Sequence, residues 1–116
     1  GGGKYIAVGA SGIILSSING KAWTLEPSGV TIDLVGITYG GDKYMIVGEN
    51  GTILSSTNGT DWSMELSGVT NSLGGIIYSN GQYIAVGLDG TILSSTDGVN
   101  WVSISIDPAY RFYTAY

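Results

Sequence analysis

The chain of 116 residues has no cysteine and no histidine, and only four of its residues are basic. Without cysteine there is no disulfide, no thiol nucleophile and no Cys-ligated zinc; without histidine the commonest general base and metal ligand is also missing. Most catalytic templates, and metal or cofactor chemistry with them, have therefore lost a member, and no cofactor is expected. Four basic against nine acidic residues leave a net charge of −5. No basic stripe is present to neutralise phosphates, so nucleic acid and anionic membrane are not expected partners. No run approaches the roughly 18 consecutive apolar residues of a spanning helix, so membrane insertion is not expected either. Charged residues make up only 11% of the chain, against about 25% in an ordinary globular domain. The Ala, Leu, Glu, Lys and Arg of helical bundles are correspondingly scarce.

What the chain has in their place is glycine, 20 residues of it, together with Ser, Thr, Val, Ile and Tyr, the residues of strands and tight turns. The fold class expected is all-β. At 43% hydrophobic residues the chain has enough apolar surface to fold, and a soluble, folded domain is expected. It begins with neither an initiator Met nor a secretory leader, which points to a processed product or a piece of something longer.

An internal period dominates the sequence. Tyr5, Tyr44 and Tyr83 are evenly spaced, and Gly9, Gly48 and Gly87 keep the same spacing, as do Trp23, Trp62 and Trp101. From Tyr44 to Trp62 against Tyr83 to Trp101, 12 of 19 positions are identical, and Tyr5 to Trp23 against the third copy gives 12 of 19 again. Each copy reads as four short strands. In the middle copy the strands expected are Leu34 to Tyr39, Lys43 to Gly48, Thr52 to Ser56 and Trp62 to about Leu66, separated by turns at Gly40-Gly41-Asp42, Glu49-Asn50-Gly51 and Thr57-Asn58-Gly59. Ser11-Gly12, Asn50-Gly51 and Asp89-Gly90 predict a three-residue hairpin whose glycine has positive φ. Strands such as Tyr44-Met45-Ile46-Val47-Gly48 alternate poorly, as a sheet covered on both faces does. Four-stranded units of roughly 40 residues stacked face to face are the arithmetic of a β-propeller blade.

The segment Ser95-Thr96-Asp97-Gly98-Val99-Asn100-Trp101 resembles the Asp-box, or BNR repeat, in a short form. It recurs as Ser56-Thr57-Asn58-Gly59-Thr60-Asp61-Trp62 and as Ser17-Ile18-Asn19-Gly20-Lys21-Ala22-Trp23, with Asn for Asp in both. The strand before each box, as in Tyr83-Ile84-Ala85-Val86-Gly87, is also similar to bacterial propellers of the sialidase-like and photosystem-assembly-factor types. The resemblance implies a box at the turn between third and fourth strands, on the blade periphery. Its residues, Ser17, Asn19, Gly20, Trp23, Ser56, Asn58, Gly59, Trp62, Ser95, Asp97, Gly98 and Trp101, are then scaffold. A short Asp or Asn side chain accepts hydrogen bonds from the turn amides, Gly permits the left-handed residue, and Trp can cover the Ser hydroxyl.

A sialidase resemblance would imply an arginine cluster, a Tyr nucleophile paired with Glu, and an acidic proton donor. The only arginine is Arg111, so that set is absent and no catalytic residue is assigned. A two-carboxylate glycosidase would have to draw on Asp33, Asp42, Glu49, Glu65 or Asp107, whose geometry the sequence does not supply. Gly1-Gly2-Gly3-Lys4 lacks the spacing of a phosphate loop and aligns with the turn Gly40 to Lys43. Asn50-Gly51-Thr52 and Asn58-Gly59-Thr60 match the glycosylation pattern but are explained as repeat-encoded turns.

Aligned to the repeat, residues 1–33 form a blade with its second to fourth strands, 34–72 and 73–111 form two full blades, and Phe112 to Tyr116 read as an orphan first strand. Propellers typically have about 4 to 8 blades, so three cannot close. The arrangement expected is a head-to-tail homodimer making a six-bladed ring, in which Phe112 to Tyr116 of each chain complete the first blade of the other; a trimer or a filament are the other closures. Asp107 to Tyr116 also hold four of the twelve aromatic residues. Tyr110, Arg111, Phe112, Tyr113 and Tyr116 are therefore candidate interface or ligand residues, read either as a sugar-stacking or partner-anchoring set or as the closing strand and its linker. The functional reading is a non-enzymatic scaffold or interaction module. The alternatives are a carbohydrate-binding propeller with glycan partners, a fragment of a larger propeller enzyme or adhesin, and an engineered repeat protein.

Overall fold

A computed structural model describes residues 3–104. Its strands, in chain order, are β1 (Tyr5–Val8), β2 (Ile14–Ser17), β3 (Thr24–Glu26), β4 (Leu34–Gly40), β5 (Lys43–Gly48), β6 (Ile53–Ser56), β7 (Ser63–Glu65), β8 (Leu73–Ser79), β9 (Gln82–Gly87), β10 (Ile92–Ser95) and β11 (Val102–Ile104). They form three antiparallel meanders, β1-β2-β3, β4-β5-β6-β7 and β8-β9-β10-β11, in which strands adjacent in sequence are adjacent in the sheet. The all-β expectation holds, and in the middle sheet the strand ends fall within about two residues of those read from the sequence, the ordinary scatter of strand ends.

Turn chemistry sets these sheets. β4 and β5 join through Gly41 and Asp42 at φ 57° and 64°, and β8 and β9 through Asn80 and Gly81 at φ 52° and 75°. Two successive left-handed residues give the primed hairpin whose twist matches that of the strands. Between β5 and β6 the three-residue turn Glu49–Gly51 is closed by the Thr52 amide donating to the Glu49 carbonyl (3.1 Å) and the Gly48 amide to the Thr52 carbonyl (3.0 Å). The glycine of each such turn has positive φ as expected, and the residue before it is left-handed as well: Asn50 (φ 58°), Ser11 and Asp89. Asn and Asp tolerate this region and Ser does so at more cost. Gly51 is required twice over, by φ +69° and because a Cβ would lie 2.1 Å from the Val69 carbonyl oxygen.

The core lies between sheets. Period-two alternation along β5 sends Met45 and Val47 toward the third sheet, where they join Leu73, Ile76, Tyr83, Ala85 and Leu93. Ile46 points the other way, into a cluster with Ile14, Leu34 and Leu54. This is why β5 is apolar at successive positions: both of its faces are covered, and every residue from Tyr44 to Gly48 is buried. A sheet with one wet face would alternate apolar and polar. β4 packs face to face on β8, so the first strands of the two full sheets form the central seam.

Candidate functional site

Two features repeat with the sheets and carry the side chains singled out by the sequence. The first is the turn after β2, β6 and β10. In the first sheet the Ser17 hydroxyl donates to Asn19 Oδ1 (3.1 Å) and accepts from the Gly20 amide (2.8 Å). Asn19 Oδ1 in turn accepts from the amides of Lys21 (2.8 Å) and Ala22 (3.0 Å). Ser56 and Asn58 repeat this arrangement with Gly59, Thr60 and Asp61, and Ser95 and Asp97 with Gly98, Val99 and Asn100. Gly20, Gly59 and Gly98 are left-handed, at φ 76°, 79° and 78°. An oxygen accepting two amides and a hydroxyl satisfies donors that the chain reversal would otherwise leave free.

The second and third turns show a compensating exchange. Asn58 Nδ2 donates to Asp61 Oδ2 at 2.8 Å, while in the next copy the roles swap and Asn100 Nδ2 donates to Asp97 Oδ2 at 2.8 Å. One amide and one carboxylate are kept; only their order along the chain changes. The amides of Asn100 and Val99, then the Asn100 side chain and the Ser95 hydroxyl, hold the Asp97 carboxyl well below the usual carboxylate range. Trp62 and Trp101 follow these turns and set their rings 6.3 Å from those of Tyr44 and Tyr83, a contact the sequence reading did not anticipate.

The acidic residues weighed as catalytic candidates are scattered among local bonds. Asp33 Oδ1 accepts from the Ser11 amide (3.0 Å), and Glu49 Oε1 accepts from the Asp33 amide (3.1 Å). Glu65 accepts from the Ser55 hydroxyl across the β6–β7 pair, as Glu26 does from Ser16. Asp42 sits in the β4–β5 turn. Among the described residues no three acidic side chains gather into a group able to hold a metal ion, and no helix is long and apolar enough to cross a membrane. Asp107, Tyr110, Arg111, Phe112, Tyr113 and Tyr116 lie outside the described residues.

The second repeated feature is the tyrosine near the start of the second strand of each blade. Tyr83 is buried, its ring tilted against that of Tyr78 with centroids 4.7 Å apart, and its hydroxyl reaches across to donate to the Gly40 carbonyl of the middle sheet. Tyr44 is buried against Tyr39 at 4.6 Å, and its hydroxyl meets the backbone of Lys4. Burial first, and then the neighbouring Tyr39 or Tyr78, pushes both phenols up from their ordinary value. Each tyrosine thus staples its sheet to the one before it. Tyr5 holds the same position in the first sheet, but it is 58% exposed where Tyr44 is 4% and Tyr83 2%. Beside it Trp23 and Leu25 are also exposed. A cleft of about 340 Å³ opens here, lined by Lys4 just before β1, by Tyr5 and Ile6 of β1, and by Ile37 and Tyr39 of β4. The regular recurrence marks these tyrosines in the sequence, but their hydroxyl partners come from a different sheet and carry no local signal.

No protein-family model and no curated protein matches the chain. Solved structures do. A structure of YCF48 bound to D1 peptide superposes with a TM-score of 0.71 at 23% identity, over 86% of this chain and 35% of that one. YCF48 from Cyanidioschyzon merolae superposes with a TM-score of 0.72 at 20% identity, over 87% of this chain and 33% of that one. The chain spans about a third of the length of the solved structures it matches. At such identities the likeness is one of fold, and the three stacked meanders are blades of the β-propeller type.

Proposed function

We propose that the chain is a non-catalytic β-propeller module that holds protein surfaces together, beginning with its own. In this reading the three sheets are the blades 1–33, 34–72 and 73–111, and copies stack head to tail with the first sheet of one against the third sheet of the next. Two copies give six blades, inside the range of about 4 to 8 in which propellers close; three give nine, outside it. The peripheral turns, which resemble Asp-boxes, serve as scaffold.

The observation that carries the proposal is the exposure of Tyr5. The same residue in the same place is covered in the other two sheets (4% and 2%) and bare in the first (58%). Stacked repeats draw their stability from neighbour interfaces, and contiguous exposed apolar surface marks an interaction site. That a solved structure of this fold contains a bound peptide supports a protein ligand over a chemical substrate. Size-exclusion chromatography with light scattering tests the reading. The expected mass is twice the 12.0 kDa of the chain; a stable monomer at tens of micromolar would refute it.

A further inference from the structure

We propose that the apolar cleft between the second and third sheets, at the end that carries the β5–β6 turn, receives an apolar side chain from a lysine- or arginine-rich segment of a partner protein. This goes beyond the self-association proposed above and does not depend on it, because both walls of the cleft belong to complete four-stranded sheets.

The two ends of the stacked sheets differ in charge. Cross-sheet bonds keep like ends together: the Leu34 amide donates to the Gly9 carbonyl at one end (3.1 Å), and Lys43 Nζ and the Tyr83 hydroxyl bond across at the other. The first end gathers the turns Ala10–Gly12, Glu49–Gly51 and Leu88–Gly90. Glu26 stands there opposite Ile14, Glu65 stands opposite Ile53, and Asp33, Glu49 and Asp89 lie in or beside the turns. Every lysine is at the other end: Lys4 precedes β1, Lys21 follows β2, and Lys43 opens β5. Asp42, Asp61 and Asp97 share that end with them and balance their charge. Among the described residues the net negative charge therefore sits wholly at the first end, where it attracts cations and repels anions.

The cleft gives that charge something to orient. It has a volume of about 300 Å³ and is lined by Val35 and Glu49 of the second sheet and by Ser72, Leu73, Gly74 and Leu88 of the third. Leu73 forms a buried floor, while Val35 and Leu88 are 53% and 40% exposed. Gly74 lies one repeat after Val35, and without a side chain there one wall is bare backbone. Three carboxylates rim the opening. Glu49 lines it, Asp33 is tied to Glu49 through its own amide (3.1 Å) and carbonyl (3.0 Å), and Asp89 follows Leu88 directly. Each holds a local donor on one oxygen, the Ser11 amide on Asp33, the Asp33 amide on Glu49 and the Asn71 side chain on Asp89. The second oxygen of each has no hydrogen-bond partner among the described residues. An apolar side chain fills the cleft, and a neighbouring ammonium or guanidinium then meets a carboxylate that needs no rearrangement to accept it. A neutral segment would gain only the apolar contact, and an acidic one would be repelled.

Fluorescence anisotropy of the full chain with labelled peptides tests this. The probe is a short peptide with a central leucine between two pairs of lysines; its controls carry glycine for the leucine, or glutamate for the lysines. Saturable binding is expected for the probe alone. Glu49→Gln/Asp89→Asn keeps an oxygen for each local donor, and Asn already occupies the left-handed position of Asp89 one repeat earlier, at Asn50. This double variant is expected to weaken binding about three- to thirtyfold, whereas Asp42→Asn/Asp61→Asn, which removes the same charge from the opposite end, changes it less than about twofold. Leu88→Ala, the residue type that Ala10 supplies in the first sheet, is expected to weaken it about three- to tenfold. Circular dichroism of each variant confirms the fold. No binding at chain concentrations up to about 1 mM, equal affinity for the glycine or the glutamate peptide, or equal losses in the two double variants would each overturn the proposal. Light scattering reads self-association separately, so either reading can fail while the other stands.

Discussion

The tyrosine staple makes a sharp quantitative test, because one substitution has different consequences at two equivalent positions. Tyr83→Phe keeps the ring, and with it the contacts to Tyr78 and Trp101, and removes only the hydroxyl that donates to the Gly40 carbonyl. Tyr83 is 2% exposed and Gly40 half-buried, so the carbonyl loses its partner in a place only partly open to water. A hydrogen bond lost in this way costs about 1 to 2 kcal/mol. For a domain of this size that lowers Tm by roughly 4 to 8 °C. Tyr5→Phe removes a hydroxyl from a residue that is 58% exposed, and an exposed substitution of this kind changes the stability of the single chain by less than about 0.5 kcal/mol. In the proposed head-to-tail arrangement its hydroxyl would be the staple to the neighbouring copy, so the same loss of about 1 kcal/mol is expected there as a roughly fivefold weaker association. Thermal unfolding followed by circular dichroism over a range of protein concentrations separates the two. Tyr83→Phe lowers Tm at every concentration; Tyr5→Phe lowers it only where the parent is assembled. Equal shifts for both variants at high dilution, or no shift for Tyr83→Phe, would refute the staple.

Gly51→Ala is expected to cost at least about 2 kcal/mol, since the added Cβ lies 2.1 Å from the Val69 oxygen on a backbone at φ +69°; the urea midpoint should fall with an unchanged slope, and an unchanged midpoint would show that the turn relaxes freely. Asp97→Asn restores the residue type that Asn19 and Asn58 supply in the other turns. Because the carboxyl of Asp97 is held below its unfolded value of 3.8, its contribution to stability is present above that value and is lost as the pH falls below it. The variant gives up the Asn100 side-chain bond to the carboxylate, so it should be less stable than the parent near neutral pH and lose less stability on acidification, read as urea midpoints between about pH 5 and pH 2; identical acid limbs would exclude Asp97 as a source of acid sensitivity.

The strands and their turns were legible because each is written in local chemistry and written three times. Gly41-Asp42 and Asn80-Gly81 are hairpin turns on residue type alone, and the unbroken apolar run Tyr44 to Val47 announces a strand covered on both faces. Local chemistry stops where a partner comes from another sheet. The Tyr83 hydroxyl bonds a carbonyl 43 residues away, and Lys43 Nζ reaches the Asp97 carbonyl oxygen across 54; both depend on how the sheets stack, which periodicity does not report. The left-handed Ser11 was illegible for a different reason. Its side chain disfavours the conformation, and the turn imposes it through Gly9 and Ile13, whose backbone atoms bond at 3.0 Å. Among the candidate residues, those of the recurring turns were found from sequence because their bonds span two or three residues. The exposed Tyr5 face was not, since nothing in the residue distinguishes Tyr5 from Tyr44.

That indifference has a consequence for specificity. If junctions within a chain and between chains use the same positions, a copy is recognised by how side-chain volumes are shared across the seam. Where the first sheet meets the second, Ile6 packs into the cluster of Ile46, a large residue on each side. Where the second meets the third, Met45 and Ala85 share the cluster, a long residue facing a small one. The positions that would meet between copies are Ile84, one repeat after Met45, and Ala7, two repeats before Ala85. This is again a large residue against an alanine. The pairing matches the second junction and not the first, and replacing Met by Ile at nearly constant volume costs less than about 1.5 kcal/mol in a repacked core. In the proposed head-to-tail arrangement the seam between copies would therefore resemble an interior junction of the chain in its volumes as well as in its tyrosine.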